Sequence, residues 1–259
     1  MPKYNGVGLM SAAFGSGRIA YPFKGSYIVN FLPSSILATG SNVTGWQSIE
    51  GNVLLAPVST PQLGLMPNGI SKCVTFSKTE AMTVVSSRLG MLNGTNTPFE
   101  MAFDLVLDSS ESGTPAIIYL SDAGGAAVEL QWYSTTVIPR GSLVRFLTPN
   151  VTTTLIPNPF TLGTRFIVGV ALDNTGNLTA YSCNPTTGAI TVGIPVAQGG
   201  IGNLVAIASL TLNGLVGTAG GNACRFSSLW IRPPTVPTPT GTASEITTLL
   251  QYIQANPNL

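Results

Sequence analysis

The chain has 259 residues, of which 44% are apolar and only 8% are charged, about a third of the usual globular share. Its net charge of +1 argues against binding to nucleic acid, and the absence of histidine removes the commonest general base and metal ligand. Surface polarity must therefore come from Ser, Thr, Asn and Gln. Weakly charged surfaces tend to associate, which predicts a homo-oligomer or contacts with other subunits.

Residues 1–44 show neither helical nor strand periodicity and form a predicted extended arm. One interpretation is an arm that lies across its own domain. The favoured alternative is an arm that docks on a neighbouring subunit, because a long segment without regular structure needs a partner. The side chains expected to dock are those of Tyr4, Phe14, Arg18, Tyr21 and Phe23.

The beginning of the chain has no unbroken apolar segment after Lys3, so we expect no secretory signal. Long apolar runs elsewhere are interrupted by Gly, Pro, Thr and Asn, so no membrane-spanning helix is predicted. We therefore expect a protein that is cytosolic when made and does not associate with a membrane.

From Trp46 onward the pattern is typical of short β-strands. Residues 61–69 form a predicted turn-rich connection between two of them. Gly, Ser and Pro turns separate the others, and about a dozen strands at this spacing predict an all-β sandwich over residues 45–232. The predicted strands cover residues 51–57, 71–76, 81–86, 99–108, 115–121, 126–133, 143–147, 189–192, 204–212 and 224–231.

Residues 163–182 predict the central hairpin of this sandwich. Phe166, Val168, Val170 and Leu172 recur with the two-residue period of a strand. Residues 173–177 are types that accept turn dihedrals, and the chain then runs back. A strand that is apolar on one face and weakly polar on the other belongs in the middle of a sheet, covered on one side by a second sheet.

Residues 233–259 predict a Pro-rich connector followed by one helix. Thr242 and Glu245 form a T-x-x-E capping box. An apolar stripe follows at helical spacing, and about three turns are too short to be stable alone. The stripe is therefore expected to dock on the sandwich or on a partner; it consists of Ile246, Leu249, Leu250 and Ile253.

The three cysteines, Cys73, Cys183 and Cys224, are widely spaced and form no CxxC motif. Three buried thiols are the favoured interpretation, because free cysteine behaves as a small hydrophobe. A disulfide between Cys183 and Cys224 is the alternative.

Four segments together resemble the laminin-G-like members of the concanavalin A-type lectin/glucanase superfamily, as found in tailed-phage virion proteins. They are residues 67–84, with V-T-F and M-T-V, the long strand 99–107, the hairpin 165–181 with D-N-T-G-N-L-T-A-Y, and residues 226–252 with the closing strand and S-E-I helix. The resemblance implies an all-β, concanavalin A-like antiparallel β-sandwich jelly roll with an N-terminal arm and a short C-terminal helix.

The chain departs from the metal-binding and catalytic members of that superfamily. Asp104, Asp108, Asp122 and Asp173 are isolated in sequence, whereas calcium needs several oxygen ligands together. Glu100 and Asp104 share a strand's parity, but four residues of strand separate them by about 13 Å, beyond either glycosidase geometry. We therefore expect no metal, no cofactor and no catalytic residues.

Three residues are weak candidates for ligand binding. Trp132 and Tyr133 end a strand, so one of them must point outward and could stack on a sugar ring; covering an edge or an interface is the plainer interpretation. Asp122 precedes a glycine-rich loop tip, where a lectin-like carboxylate or a tight turn are the alternatives.

These expectations predict a non-enzymatic virion structural protein, either a phage capsid decoration or cement protein or a tail-associated one, that docks through its arm on other virion proteins. The alternative is a glycan-binding adhesin of a phage fibre or cell surface, with a host glycan as partner. Both derive from analogy of fold.

Overall fold

The computed structural model describes residues 21–92, 97–110, 116–122, 127–133, 141–147, 152–155, 161–197, 207–215, 218–219, 222–234 and 245–258. Tyr4, Phe14 and Arg18 of the predicted arm lie outside these ranges. Within the ranges, no helix combines the length and apolarity that crossing a membrane requires.

Most of the described chain is β-strand, and one short helix lies near its C-terminal end, as the sequence predicts. The helix, α1, spans Glu245–Ala255, and a 3-10 turn spans Ser87–Leu92. The strands are β1 (Val29–Thr39), β2 (Asn42–Ser48), β3 (Leu54–Pro57), β4 (Gln62–Leu65), β5 (Lys72–Phe76), β6 (Met82–Val85), β7 (Phe99–Ser110), β8 (Ala116–Asp122), β9 (Ala127–Tyr133), β10 (Gly141–Leu147), β11 (Thr152–Leu155), β12 (Arg165–Leu172), β13 (Asn177–Cys183), β14 (Ile190–Val192), β15 (Val196–Ala197), β16 (Ile207–Leu212), β17 (Gly214–Leu215), β18 (Thr218–Ala219) and β19 (Asn222–Arg232).

The first array of strands is centred on β12. This strand pairs antiparallel with β13 on one side and with β7 on the other, so that Val170 lies opposite both Ala180 and Met101. Beyond β13 come β14 and β15, and beyond β7 comes β19. The predicted hairpin and its central position are therefore confirmed.

The turn of that hairpin is held by a carboxylate. Oδ1 of Asp173 accepts the backbone N–H groups of Thr175 at 2.8 Å and Asn177 at 2.9 Å. Gly176 has a φ of 82°, a conformation that costs glycine little. Against the raising effect of burial, the Thr175 hydroxyl, which also donates to Oδ1, and these N–H groups hold the pKa of Asp173 below its usual range.

A closed ring of five strands extends the first array. β19 pairs with β5 along its first half and with β1 along its second half. β1 then pairs with β2, β2 contacts β4 through Asn42 and Gln62, and β4 pairs with β5. Residues 29–39 and 42–48 thus form paired strands, so the extended arm predicted for residues 1–44 is incorrect over this stretch.

The second array runs in the order β11, β10, β9, β8, β16, β6 and β3, with every neighbouring pair antiparallel. β3 also pairs with β2 through Trp46 and Leu55, and so joins this array to the first.

One contiguous apolar cluster contains side chains from both arrays. Phe103, Val168 and Val170 come from the first array, and Leu120 and Leu210 from the second. Each buried side chain of this size stabilises the fold by about 1.5–3 kcal/mol relative to an exposed one. The alternation in the sequence is thus explained by a shared interior.

Helix α1 covers the other face of the first array. Its stripe of Ile246, Leu249, Leu250 and Ile253 belongs to a second buried cluster, together with Ala102, Ile167, Tyr181, Cys183 and Trp230 of the strands. Contact is close because β12 has Gly169 beneath the helix: a Cβ there would lie 2.8 Å from Cγ1 of Ile246.

All three cysteines are free and buried, as the favoured interpretation predicts, and the alternative Cys183–Cys224 disulfide is absent. Burial raises the pKa of the Cys73 and Cys183 thiols to about 11.

Candidate functional site

Glu100 and Asp104, two of the three carboxylates of β7, hold the two ends of helix α1, whereas the third, Asp108, pairs with Arg225. Asp104 forms a paired hydrogen bond with Arg165, whose Nη2 lies 2.8 Å from Oδ2. The same guanidinium donates to the carbonyl of Ile253 at 3.3 Å, in the last turn of the helix. A cation at a helix C-terminus also complements the helix dipole.

At the other end of the helix, Glu100 accepts the backbone N–H of Ile246 in the first turn. Nη1 of Arg232 lies 3.6 Å from Glu100, and Nη2 donates to Glu245 at 2.7 Å. Burial raises the pKa of Glu100 to about 7. Glu100 and Asp104 therefore position the helix, which is a structural role.

The described part of the predicted arm contacts its own chain. The hydroxyl of Tyr21 donates to Glu50 at 2.6 Å, and its ring packs edge-on against Trp230, with centroids 5.7 Å apart. The ring of Phe23 lies 3.8 Å from the guanidinium carbon of Arg232. Tyr21 and Phe23 thus fasten the chain beside helix α1, as in the interpretation of an arm lying across its own domain.

The three weak ligand candidates do not converge on one place. Asp122 ends β8 beside the start of β9, since Ser121 lies opposite Ala127. Trp132 and Tyr133 lie at the far end of β9, five or six residues away and therefore about 17–20 Å along the strand.

The side chains of Asp122, Trp132 and Tyr133 lie outside what the structure describes, so their part in ligand binding stays a prediction. Along β8, Tyr119 lies between the core residues Ile118 and Leu120, so its side chain is on the face of the second array that is turned away from the core.

That face contains a row of polar residues in direct register. Thr83 of β6 lies opposite Thr211 of β16, which lies opposite Tyr119 of β8. Along the backbone, the Cα register continues from Tyr119 to residues 129, 145 and 153 of β9, β10 and β11. The next row pairs Ser209 with Ser121. We call Thr83, Tyr119, Ser121, Ser209 and Thr211 the hydroxyl face.

The side chains of the hydroxyl face bond to one another. Thr83 donates to the carbonyl of Leu210 at 3.3 Å, and its Oγ1 lies 3.0 Å from Oγ1 of Thr211. Ser209 donates to the carbonyl of Ser121, and the two hydroxyls also bond to each other. Thr211, Ser121 and Ser209 are buried, so Thr83 and Tyr119, which are partly exposed, are the members of the hydroxyl face that a ligand can reach.

Apolar side chains flank the row at its β3–β6 end. Val85 is 75% exposed and Leu54 is 45% exposed, and Ala56 lies opposite Thr83. A surface that combines apolar patches, a tyrosine ring and fixed hydroxyls has the groups that a sugar uses, since a sugar ring offers both C–H faces and O–H edges.

Thr83 and Tyr119 were not predicted as binding residues from the sequence. Their signal was the alternation within two short strands, where Met82 and Val84 flank Thr83, and Ile118 and Leu120 flank Tyr119. Among the described residues, no group of three or more acidic or cysteine side chains could hold a metal ion.

No model of a known protein family matches the chain, and no curated protein matches it in sequence. Solved structures nevertheless share its fold. A chain of botulinum neurotoxin type C, described with two ganglioside molecules, has a TM-score of 0.61 at 11% identity, over 90% of this chain and 52% of the neurotoxin chain.

Two further matches come from other sources. A sialidase of Trypanosoma rangeli has a TM-score of 0.53 at 13% identity, over 88% of this chain and 32% of the sialidase. Tailspike protein 2 of an Escherichia coli O157:H7 bacteriophage has a TM-score of 0.50 at 15% identity, over 68% of this chain and 25% of the tailspike. This chain therefore spans a quarter to a half of each neighbour and shares with them a β-rich fold.

Proposed function

We propose that the protein is a non-catalytic glycan-binding module of a phage tail. The observation that carries the proposal is the hydroxyl face, where Tyr119 lies in register with Thr211 and Thr83 beside exposed apolar side chains. The neighbours add support, because their names include a sialidase, a ganglioside-binding toxin and a phage tailspike.

Within this proposal, the fold is the concanavalin A-like jelly roll that the sequence resembles. The shared apolar cluster between two antiparallel arrays supports it. The closed ring formed with β1, β2, β4 and β5 is an addition to such a sandwich, at the side where the N-terminal segment enters.

The place of action that we propose is the virion, in contact with other tail subunits and as a homo-oligomer. Of the two positions that the sequence left open, the tailspike match supports the tail over a capsid decoration. The low charge of the chain supports subunit contacts.

The proposal excludes catalysis because the three carboxylates on β7 are already engaged, Asp108 with Arg225. Asp104 and Glu100 serve the ends of helix α1, and both are nearly inaccessible to solvent. Incubation of the protein with a bound oligosaccharide should leave its length unchanged over a day, by mass spectrometry; release of shorter products would contradict this part.

Binding is tested with purified protein and a panel of bacterial surface polysaccharides, by calorimetry. Tyr119→Ala should weaken binding about five- to thirty-fold, because ring stacking and hydrogen bonding by one tyrosine contribute about 1–2 kcal/mol. Tyr119→Phe should lose only the hydroxyl contribution.

The matched control is Tyr252→Ala, which removes a partly buried tyrosine on helix α1 that packs against Trp230. It should alter stability but not affinity. Equal loss of binding in both variants, with both folded by circular dichroism, would refute the assignment of this face.

A further inference from the structure

Exposed apolar side chains are concentrated around strand β3. Its outward positions are Leu54, which is 45% exposed, and Ala56, and the next one along the chain is Val58, which is 44% exposed. Leu55 lies between them on the opposite face and is fully buried. We call the exposed residues of this region the apolar patch; it consists of Leu37, Leu54, Ala56, Val58 and Val85.

The members of the apolar patch are neighbours in space. Leu37 of β1 and Leu54 of β3 meet over Gly45 of β2, where a Cβ would lie 3.5 Å from Cδ1 of Leu37 and 2.9 Å from Cδ1 of Leu54. On the other side, the antiparallel register of β3 with β6 places Val85, which is 75% exposed, beside Leu54. The patch therefore runs without a break over four adjacent strands.

The area of the apolar patch fits one side of a protein–protein contact. The exposed fractions amount to on the order of 400 Å² of apolar surface, and soluble monomers rarely expose a contiguous patch of more than a few hundred Å². A stable dimer buries about 800 Å² on each partner, of which a little more than half is apolar. The patch thus supplies the apolar area that one partner needs.

The strands beneath the patch indicate which partner fits. β1, β2, β3 and β6 contain no charged residue, so they have no charge to match with an oppositely charged protein. Polar but uncharged residues lie exposed beside the patch on β1 and β2: Thr39, Asn42 and Thr44. An apolar centre with a polar border is the usual composition of an interface. A second copy presents the same uncharged strands, and a contact about a two-fold axis sets this surface against itself.

We propose that the apolar patch joins two copies of this chain in a two-fold dimer. Tyr119 lies three strand spacings from Ala56, or about 14 Å away, so each copy keeps this residue outside the contact. Resting on the proposed function, the dimer has two glycan sites beside one interface. A polysaccharide with repeating units can engage both sites, which raises its affinity without any new contact.

The dimer is tested first, without glycan, by sedimentation of the purified full chain from about 1 to 100 µM. The mass should rise from the 26.8 kDa of one chain to twice that value, and 500 mM NaCl should not weaken the dimer, because salt screens only charged contacts. Leu37→Glu and Val58→Glu should each weaken the dimer at least about 100-fold, since each places an unpaired carboxylate in an apolar contact.

Ile194→Glu is the matched control, at a position that is 83% exposed between β14 and β15. It adds the same charge away from the patch and should leave the dimer unchanged. All three replaced side chains are exposed, so the variants should keep the circular dichroism spectrum of the wild type.

Glycan binding is then compared between the wild type and Leu37→Glu. The variant should bind a long polysaccharide at least about ten-fold more weakly than the dimer does, because it loses the second site. Its affinity for a single repeating unit of that polysaccharide should be unchanged.

The outcomes separate this inference from the proposed function. A wild type that stays monomeric, or a dimer that survives both patch variants or is lost equally in Ile194→Glu, would overturn the interface and leave glycan binding standing. Equal affinity of monomer and dimer for the polysaccharide would overturn the pairing of the two sites. A dimer that behaves as expected but binds no glycan would overturn the proposed function and leave the interface standing.

Discussion

Gly169 is predicted to control how closely helix α1 packs on the first array. Replacement by alanine places a Cβ 2.8 Å from Cγ1 of Ile246 and 3.0 Å from Cδ1 of Leu250, both in fully buried side chains. Overpacking of this kind costs about 1–3 kcal/mol. Loss of glycine's freedom in the unfolded chain offsets about 0.4–1 kcal/mol of that cost.

The expected net loss for Gly169→Ala is therefore about 1–2 kcal/mol, which corresponds to a fall in Tm of about 2–8 °C for a chain of this size. Denaturant unfolding followed by tryptophan fluorescence gives the free energy of unfolding. Trp230 lies in the same buried cluster as the helix, so its emission should report directly on the helix–sheet contact.

Gly45→Ala is the matched control. Its Cβ would also meet a side chain at 2.9 Å, but the atom is the tip of Leu54, which is 45% exposed and free to move. We expect a change within about 0.5 kcal/mol of zero. The double variant Gly169→Ala/Ile246→Ala should lose less stability than the sum of the losses in the two single variants, because the shortened side chain at position 246 removes part of the clash. Equal stability of the two glycine variants would refute the reasoning.

Two further predictions concern carboxylates. Burial raises the pKa of Glu100 to about 7, above its ordinary value. The contribution of this carboxyl group to stability is therefore complete below about pH 4.5 and is lost as the pH rises through 7. The free energy of unfolding should fall by about 2–3 kcal/mol between pH 4.5 and 8.5, and Glu100→Gln should flatten that part of the pH profile. A wild-type profile that rises with pH across this window would contradict it. Asp173→Ala removes the acceptor of the Thr175 and Asn177 N–H groups and should cost about 1–3 kcal/mol, with Asp173→Asn recovering part of the loss in thermal unfolding; an unchanged Tm would show that the turn forms without these bonds.

The sequence predicts strands well where a strand keeps one face in the core along its whole length. β7, β12 and β16 meet this condition, and the alternation of Val168 and Val170 identifies the face that packs. The helix stripe is equally clear, because its four apolar residues face one surface of the sheet.

β1 was not predicted because its pairing with β2 is irregular in the middle of the strand. Its register with β2 shifts between Phe31 and Ile36, a stretch that includes Pro33. A strand interrupted in this way shows no two-residue period over its length. Because no strand periodicity was visible in the sequence of β1, this stretch was predicted to belong to an extended arm.

β4 was missed for a different reason. Gly64 favours a turn when only the sequence is considered, but here it allows close pairing, since a Cβ would lie 2.3 Å from Oγ1 of Thr75 on β5. Glycine in a strand often marks such an approach of a neighbour. Without β1 and β4, the ring of five strands could not be inferred.

The hydroxyl face could not be predicted from the sequence because its members lie far apart in the chain. Thr83, Tyr119 and Thr211 meet only through the register of β6, β16 and β8. Each strand alone shows an ordinary alternation of apolar and polar residues. Which side chains this face brings together is decided by the order of the strands in the sheet.

This chain has few charged residues, and the positions of the described ones explain which surfaces carry no charge. With 11 basic and 10 acidic residues in 259, most of the described arginines are used to join strands to a helix or to each other. Buried pairs such as Arg165 and Asp104 are costly to break, so these charges are fixed in place. Among the described side chains of β3, β6, β8 and β16, those on the outer face of the second array are therefore uncharged: they are hydroxyls, a tyrosine and apolar groups.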